Sequence, residues 1–493
     1  MIMGESYYEM LDITKDATAE EIRISYFEQV RKYHPDTNSS PLAKEMFFHI
    51  QEAYEILSDP KKRKVYDQTL LGIIKPESLI TLSIEYSKSE IPRLNEPQLV
   101  YAKLELQRVE DPVLTKTPQV HICLIVDCST SMRGERIEMV KKNIYQLILK
   151  LRPSDLVSII TFNDKADLLL APTNVANLKQ IENNLNHIIC SGATEIYKGL
   201  KAGADLLWGN FADSFTKQII LLTDGHTYGD EEACFELVKK LVDKNIIVST
   251  LGIGHEWNDI FLDRLANITG GSSSFVSSQE DLYNYMQNFA ESINTVFARG
   301  LTMELESGNN IETKYIFRIQ PDIAELQLEK PIPLGDMYLR KKSIFLIAFL
   351  LPALSRENDI ICLGKGKIRL EINSTKIERA RILINMCIPV KDEINRQDAP
   401  IDIINALSRI TLYQMQERAN LEVKNGDFQN AVNHLGCIAT QLLAQGNKKL
   451  AKVALVEAEM LKNTKRYSAD GDKQLKYGTR ALLLLPDHEK RDL

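Results

Sequence analysis

The chain has 493 residues, of which 44% are hydrophobic and 26% are charged, and its formal net charge at pH 7 is −7. The length is typical of about three or four domains, and the composition is typical of a folded protein. The net negative charge argues against nucleic acid or an anionic membrane as a partner. The N-terminal sequence lacks the pattern of a signal peptide, and the seven cysteines occur singly. We therefore expect a cytoplasmic protein with unpaired, buried thiols.

Residues 1–72 are predicted to form a compact helical domain. A short helix is expected at Tyr7–Leu11, and the pattern of a capping box at Thr18–Glu21 starts a longer helix. A polar loop that begins with His34-Pro35-Asp36 then leads into a second long helix, Leu42–Leu57, with apolar residues at helical spacing.

Two segments, 76–118 and 299–392, show apolar and polar residues in alternation, which is typical of strands with one buried face. The first segment has too few strands to be stable alone, so we expect both segments to pair in one β-sandwich. The short stretch Gly364–Lys367 is predicted to form a turn. The later strands are predicted at Leu301–Leu305, Ile311–Ile319, Met337–Leu350, Ile360–Ile372 and Ile377–Ile388.

Segment 119–298 alternates strands with amphipathic helices. Its strands are apolar nearly throughout, which indicates a parallel sheet with helices on both sides. We expect this doubly wound α/β domain to be inserted into the β-sandwich. The predicted strands are Val120–Val126, Leu156–Phe162, Gln218–Leu222 and Ile246–Ile253.

The last segment, 397–493, is predicted to be a helical region. Its helices are separated by turns that contain glycine, and they resemble one tetratricopeptide-type hairpin, although a single unit is not a repeat array. The simpler interpretation is a helical cap on the sandwich. The helices are predicted at Ala406–Val423, Phe428–Leu443 and Leu450–Lys462.

Carboxylate and hydroxyl side chains follow the strands of the α/β segment. Asp127 ends the first strand and is followed by Ser129 and Ser131, Thr194 lies in a later loop, and Asp224 ends the third strand. The carboxyl ends of parallel strands meet at one edge of a sheet, so we expect these side chains to lie close together. Oxygen ligands without a nearby histidine or cysteine pair favour Mg²⁺ or Mn²⁺ over zinc.

These five residues, in this order, resemble the metal-ion-dependent adhesion site of von Willebrand factor type A domains. The resemblance covers about residues 119–297. It implies that both serines bind the ion directly, that the threonine binds it directly or through water, and that both aspartates act largely through water. It also implies that an acidic side chain of a protein partner completes the coordination of the ion.

The Asp127 loop is also compatible with two other roles, a helix cap and the active site of a phosphatase. Asp127 and Ser131 could merely cap a helix while Asp224 occupies a turn. A phosphatase with an aspartyl nucleophile would need a second carboxylate two residues after the first, and Ser129 stands there. The residues therefore favour binding over catalysis, and we expect no enzyme activity.

Several motifs within residues 1–72 together resemble the J domain of DnaJ-type cochaperones. They are Tyr7–Leu11, Lys32–Asp36, Gln51–Leu57, Lys62–Arg63 and Tyr66–Asp67. The resemblance implies docking on a DnaK-type chaperone and stimulation of the ATP hydrolysis of that partner. The residues that would contact the chaperone are His34, Pro35, Asp36, Arg23, Tyr26, Arg31 and Lys32.

The J-like segment departs from its family in two ways. Phe27 and Glu28 stand where further basic residues are common, so we expect docking to be weaker or more selective. The glycine/phenylalanine-rich segment and the zinc repeat of longer DnaJ proteins do not follow Asp67. Client choice would then depend on the metal-binding domain.

Taken together, the modules predict a non-enzymatic cochaperone that recruits a DnaK-type chaperone and binds a protein partner through Mg²⁺. The alternative is an interaction scaffold, with or without metal, whose J domain no longer couples to a chaperone. A metal hydrolase is the third possibility, and the missing acid/base residue argues against it.

Overall fold

The computed structural model describes residues 7–14, 17–33, 47, 50–51, 53–60, 62–63, 79–109, 118–208, 215–225, 229–254, 257–354, 359–372, 379–392, 399–468 and 471–481. The chain divides into two compact units, Met1–Leu79 and Ile80–Leu493. Within the described ranges, no helix is both long and apolar enough to cross a membrane.

The first unit is helical, as predicted. Helix α1 spans Tyr7–Met10 and helix α2 spans Ala19–Tyr33, and residues 53–57 are also helical. The capping box is confirmed, because the Thr18 N–H donates to Glu21 Oε2 at 2.7 Å and the Glu21 N–H donates to Thr18 Oγ1 at 3.3 Å. The buried core consists of Tyr8, Leu11, Ala17, Ile22, Ile50, Ala53 and Leu57.

The second unit combines three sheets with flanking helices. In chain order its described strands are β1 (Ile80–Tyr86), β2 (Ile91–Pro92), β3 (Gln98–Arg108), β4 (Val120–Asp127), β5 (Leu156–Phe162), β6 (Ala166–Asn174), β7 (Thr216–Thr223), β8 (Ile246–Ile253), β9 (Ser273–Val276), β10 (Val296–Ser307), β11 (Glu312–Gln320), β12 (Ala324–Leu326), β13 (Ile332–Tyr338), β14 (Ser343–Leu351), β15 (Ile360–Ile372) and β16 (Ala380–Lys391). Its described helices are α3 (Glu135–Ile148), α4 (Leu178–Asn186), α5 (Ile196–Trp208), α6 (Glu231–Val242), α7 (Asp259–Ile268), α8 (Gln279–Ile293), α9 (Ile401–Asn425), α10 (Phe428–Ala444), α11 (Lys448–Thr464) and α12 (Gly471–Ala481).

The α/β part is a six-stranded sheet in the order β6-β5-β4-β7-β8-β9. Both faces of its central strand are covered, since Ile122 and Leu124 belong to one hydrophobic cluster and Cys123 and Ile125 belong to another. This confirms the predicted helix–sheet–helix layering. The edge strand β6 was not predicted and runs antiparallel to β5. Only one of its nine residues is buried, and its apolar stretch is shorter than those of the neighbouring strands.

The segments on either side of the α/β part form two five-stranded sheets together, in the orders β1-β3-β14-β11-β12 and β13-β10-β15-β16-β2. The long ladder between β3 and β14 confirms that the early strands pair with the late ones. The single strand predicted at Met337–Leu350 is wrong. The chain leaves β13 at Tyr338 and enters β14 at Ser343 in the other sheet, after three exposed basic residues, 340–342.

The turn predicted at Gly364–Lys367 is also wrong, because these residues lie inside β15. A Cβ on Gly366 would overlap the Glu304 carbonyl of β10. Glycine is therefore used here for close strand approach rather than for a turn.

The C-terminal helices cap the unit, as the simpler interpretation predicted. Helix α9 packs its apolar face on the sheet that contains β11 and β14. The buried cluster there comprises Phe317, Ile319, Ile323, Ile344, Leu346, Ile403, Ala406, Ile410 and Tyr413. Helix α12 was not predicted, because its sequence GDKQLKYGTRA is mostly polar and contains two glycines.

Two cysteines contradict the expectation of unpaired thiols. Cys362 and Cys387 lie opposite each other on β15 and β16 and form a disulfide, and Cys437 is exposed. The two cysteines are 25 residues apart in the sequence, so their pairing could not be predicted without the register of the two adjacent strands.

Candidate metal site and chaperone-docking surface

Asp127 lies at the carboxyl end of β4 and is fully buried. Its Oδ1 accepts a 2.8 Å hydrogen bond from the Ser129 N–H, and its Oδ2 accepts a 2.6 Å hydrogen bond from the Thr223 hydroxyl at the end of β7. Burial raises the pKa of Asp127 to about 6, although these two hydrogen bonds act in the opposite direction. Asp127 thus orients the loop that follows it and ties that loop to the neighbouring strand.

A chain of hydrogen bonds connects the predicted ligands. The hydroxyl oxygens of Ser129 and Ser131 are 3.0 Å apart, and the Ser131 hydroxyl donates to Asp224 Oδ1 at 2.7 Å. Asp224 directly follows β7, and only 1% of its surface is exposed. The two serine hydroxyls follow β4 and the Asp224 carboxylate follows β7, and the structure brings these three groups into direct contact.

The loop that carries Thr194 is held against the same edge of the sheet. The Ser191 N–H donates to the Cys128 carbonyl at 2.7 Å, and the Thr130 N–H donates to the Gly192 carbonyl at 3.2 Å. Thr194 is buried next to the turn after Asp224, since a Cβ on Gly225 would lie 3.1 Å from Thr194 Oγ1. All five predicted metal-site residues thus lie on three loops that contact one another.

The interpretation of these residues as simple helix caps does not fit the structure. The N-cap of α3 is Gly134, and no side-chain hydrogen bond caps that helix or the short 3₁₀ turn Thr130–Met132. Asp127 and Ser131 instead direct their side chains to Thr223 and Asp224 on the neighbouring strand end.

Arg136 is a site residue that the sequence did not reveal. Its Nη1 donates to Asp224 Oδ2 in a short contact and approaches the Ser131 carbonyl at 3.4 Å. In the sequence, a charged residue in the first turn of an amphipathic helix resembles any solvated surface charge. Only the fold shows that the first turn of α3 faces Asp224.

The donor set fits a hard divalent cation. The described ranges contain no group of three or more histidine, cysteine or acidic side chains arranged to hold a metal. The arrangement consists instead of two carboxylates and three hydroxyls, and Mg²⁺ and Mn²⁺ prefer such oxygen ligands. Because both carboxylates are buried, a cation would offset the cost of two negative charges in close proximity.

The predicted chaperone-docking residues are only partly within the described ranges. His34, Pro35 and Asp36 lie outside them. On α2, Arg23, Arg31 and Lys32 are exposed. Tyr26 has a structural role as well, since its ring stacks on Tyr54 with centroids 4.0 Å apart.

Phe27 is prominent on the same helix. Its side chain is 51% exposed, and the resemblance to J domains leads us to expect a basic residue at this position. An apolar group therefore stands on the surface that carries the basic residues of α2.

Three family models match separate parts of the chain. They are the DnaJ domain at residues 6–67, the von Willebrand factor type A domain at residues 121–291, and the Sll0103-like C-terminal alpha-helical domain at residues 402–485.

Among curated relatives, the uncharacterized protein sll0103 of Synechocystis is 25% identical over 328 residues, which cover 64% of this chain and 77% of that protein. The N-terminal stretch is 52% identical over 63 residues to the curved DNA-binding protein of Coxiella burnetii, covering 13% of this chain and 20% of that one. It is 53% identical over 64 residues to the chaperone protein DnaJ of Dictyoglomus thermophilum, covering 13% of this chain and 16% of that one. The match to the last two proteins therefore spans a fifth or less of their length.

A solved structure shares the architecture of the larger unit. The von Willebrand factor type A protein from Catenulispora acidiphila superimposes with a TM-score of 0.66 at 14% identity, covering 82% of this chain and 98% of that chain. This likeness shows a common fold. The chain is therefore a multidomain protein in which an N-terminal DnaJ domain is fused to a von Willebrand factor type A domain and to an Sll0103-like helical domain.

Proposed function

We propose that this chain is a non-enzymatic cochaperone that recruits a DnaK-type chaperone to a protein partner held by its metal site. The presence of a DnaJ domain and an oxygen-lined site in one chain carries this proposal. A J domain implies a DnaK-type partner in general. Covalent linkage raises the effective concentration of the recruited chaperone near whatever the second domain binds.

Each residue of the metal site has a distinct part in this proposal. Ser129 and Ser131 would bind Mg²⁺ or Mn²⁺ directly, and Thr194 would bind it directly or through water. Asp127 and Asp224 would act largely through water, and their hydrogen bonds would keep the serine hydroxyls in place. The ion would supply a positive charge at the sheet edge that an acidic side chain of the partner can bind.

The J domain would act on the chaperone and not on the client. His34, Pro35 and Asp36 would stimulate ATP hydrolysis by the bound DnaK-type protein, while Arg23, Tyr26, Arg31 and Lys32 would contribute to docking. The chemistry thus belongs to the partner, and this chain only positions the two proteins.

The residues around Asp127 support a binding role. No carboxylate stands two residues after Asp127, where an aspartyl phosphatase would need one. Burial raises the pKa of the Cys128 thiol far above its usual range, so a reactive thiolate is not available at this loop.

An interaction scaffold is the second candidate function. It is favoured by one observation, the exposed Phe27 at a position where the family often carries a basic residue. Fewer basic side chains slow electrostatic steering toward an acidic chaperone surface. In this case the α/β domain would still bind its partner, with or without metal, but the chain would not stimulate a chaperone.

Affinity capture with the full-length chain tests the metal-dependent arm of the proposal. We expect a protein that is captured in Mg²⁺ and released by a chelator, and we expect Ser131→Ala to lose it. Thr130→Ala is the matched control, because it removes a hydroxyl of the same loop that donates to the Gly192 carbonyl and is not a proposed ligand. Equal capture by Ser131→Ala, or capture that persists in chelator, would contradict a metal-mediated contact.

A further inference from the structure

The side chain of Arg136 lies against the candidate metal site from the helix side. Its guanidinium contacts Asp224 Oδ2, while Asp224 Oδ1 accepts the Ser131 hydroxyl. Both oxygens of this carboxylate are therefore engaged, one by a hydroxyl proposed as a ligand and the other by a positive charge from the same chain. Asp224 has no exposed side-chain surface, whereas 34% of the Arg136 side chain is exposed.

The backbone that follows β8 also lies close to this guanidinium. Gly254 follows β8 with a positive φ of 70°, and a Cβ there would lie 3.3 Å from Arg136 Nη2. A side chain at this position would crowd the guanidinium. The arginine thus occupies a defined place between the ends of β7 and β8.

This contact has an electrostatic consequence for a divalent cation. Two buried carboxylates give the site a formal charge of −2, and the guanidinium reduces it to −1. A cation that binds the Ser129 and Ser131 hydroxyls would also lie near the guanidinium and be repelled by it. Both carboxylates are buried, so this repulsion is screened less than it would be between two fully exposed charges, although Arg136 is partly exposed.

We propose that Arg136 is an intrachain competitor of the divalent cation. Its guanidinium stabilises the Asp224 carboxylate before the ion binds, and it weakens binding of the ion at the same site. Arg136 therefore sets the metal concentration at which the site fills. This inference rests on the proposed function, since it presupposes that the five oxygen donors bind a metal.

Two effects of opposite sign follow for Arg136→Gln. Without metal, the variant leaves a buried carboxylate without its counter-charge, so the protein should unfold at a lower temperature than the parent. With metal, the variant removes a repulsive charge, so the Kd for Mg²⁺ or Mn²⁺ should fall about tenfold. A purely structural residue would give the first effect without the second.

Isothermal titration with Mn²⁺ and with Mg²⁺, together with thermal unfolding in chelator and in metal, tests the proposal on the full-length chain. Arg136→Lys keeps the charge and should bind metal with nearly the affinity of the parent. Arg133→Gln is the matched control, because Arg133 lies on the same loop but donates to the Cys190 carbonyl at 2.9 Å. We expect it to leave the metal affinity unchanged.

The outcomes separate this inference from the proposed function. If the parent binds metal and Arg136→Gln binds it with the same or lower affinity, the competitor role is wrong while the metal site stands. If Arg133→Gln tightens binding as much as Arg136→Gln, the effect is one of overall charge and the specific pairing is refuted. If neither the parent nor any variant binds metal, both the inference and the metal-dependent function are wrong.

Discussion

The Ser131 hydroxyl donates a 2.7 Å hydrogen bond to Asp224 Oδ1, across 93 residues of sequence. This bond joins the loop after β4 to the loop after β7 at the carboxyl edge of the sheet. A change at either residue should therefore alter the geometry of both loops.

Ser129→Ala should abolish the stabilisation of the protein by Mg²⁺. If the free Mg²⁺ concentration is 100 times the Kd of the parent, binding of the ion stabilises the folded state by about 2.7 kcal/mol. The variant loses a proposed direct ligand and should show nearly no metal-induced rise in Tm. Thr130→Ala should retain the full rise, and a variant at Ser129 that also retained it would exclude this serine as a ligand.

A buried ion-pair cluster fixes helix α12 to the α/β part. Arg480 Nη2 donates to Asp263 Oδ2 at 2.7 Å, and Tyr477 donates to Asp263 Oδ1 at 2.9 Å. Arg480→Ala would remove one of the two cations paired with Asp263, since Lys476 Nζ remains 2.9 Å from Asp263 Oδ2, so we expect a loss of about 2–3 kcal/mol in the free energy of unfolding. Lys201→Ala, which breaks an exposed pair with Asp205, should cost less than about 1 kcal/mol. Denaturant titrations that gave equal losses would contradict this ranking.

The same cluster should depend on pH in the acid range. Burial acts to raise the pKa of Asp263, but the charges of Arg480 and Lys476 outweigh burial and hold this pKa well below its ordinary value of 3.8. Because its pKa is lowered in the folded state, the ionised Asp263 carboxylate adds to the free energy of unfolding above pH 3.8. This contribution is lost as the pH falls from 3.8 toward the pKa of the folded state. The stability gap between the parent and Arg480→Ala should therefore narrow by about 1 kcal/mol at pH 3. A gap of the same size at pH 7 and pH 3 would show that Asp263 does not titrate as described.

Gly270→Ala should destabilise the junction between the α/β part and the second sheet. Gly270 has a φ of 75°, and a Cβ there would lie 2.5 Å from the Gly335 nitrogen of β13. Gly229 has a similar φ of 79° but no atom within 4 Å of such a Cβ. Gly229→Ala should therefore cost only the backbone strain of about 1–2 kcal/mol, and Gly270→Ala should cost clearly more. Equal shifts in Tm would mean that the junction adjusts freely.

Local patterns in the sequence were sufficient to predict much of the fold and the residues that meet at the candidate metal site. Thr18 and Glu21 are three residues apart, so their reciprocal capping can be predicted without tertiary information. Asp127 and Asp224 each end an apolar strand, and parallel strands necessarily bring such ends together. For these residues the sequence alone predicts both the type of side chain and the place in the fold where it lies.

Other features depend on contacts that no local pattern reveals. Arg480 and Asp263 are 217 residues apart, and α12 contributes charged residues to a buried interface where apolar ones would be expected. Cys362 and Cys387 meet only because two long strands pair in one register. Arg136 could not be placed at Asp224 before the orientation of α3 was known.

Stimulation of ATP hydrolysis is the most direct test of the cochaperone function. We expect the full-length chain to raise the steady-state ATPase rate of a DnaK-type chaperone, and His34→Gln to abolish this stimulation. Ser131→Ala should stimulate as well as the parent, because the candidate metal site belongs to the other compact unit. If His34→Gln stimulates the chaperone as strongly as the parent, or if the parent gives no stimulation, the chain does not act as a J-domain cochaperone.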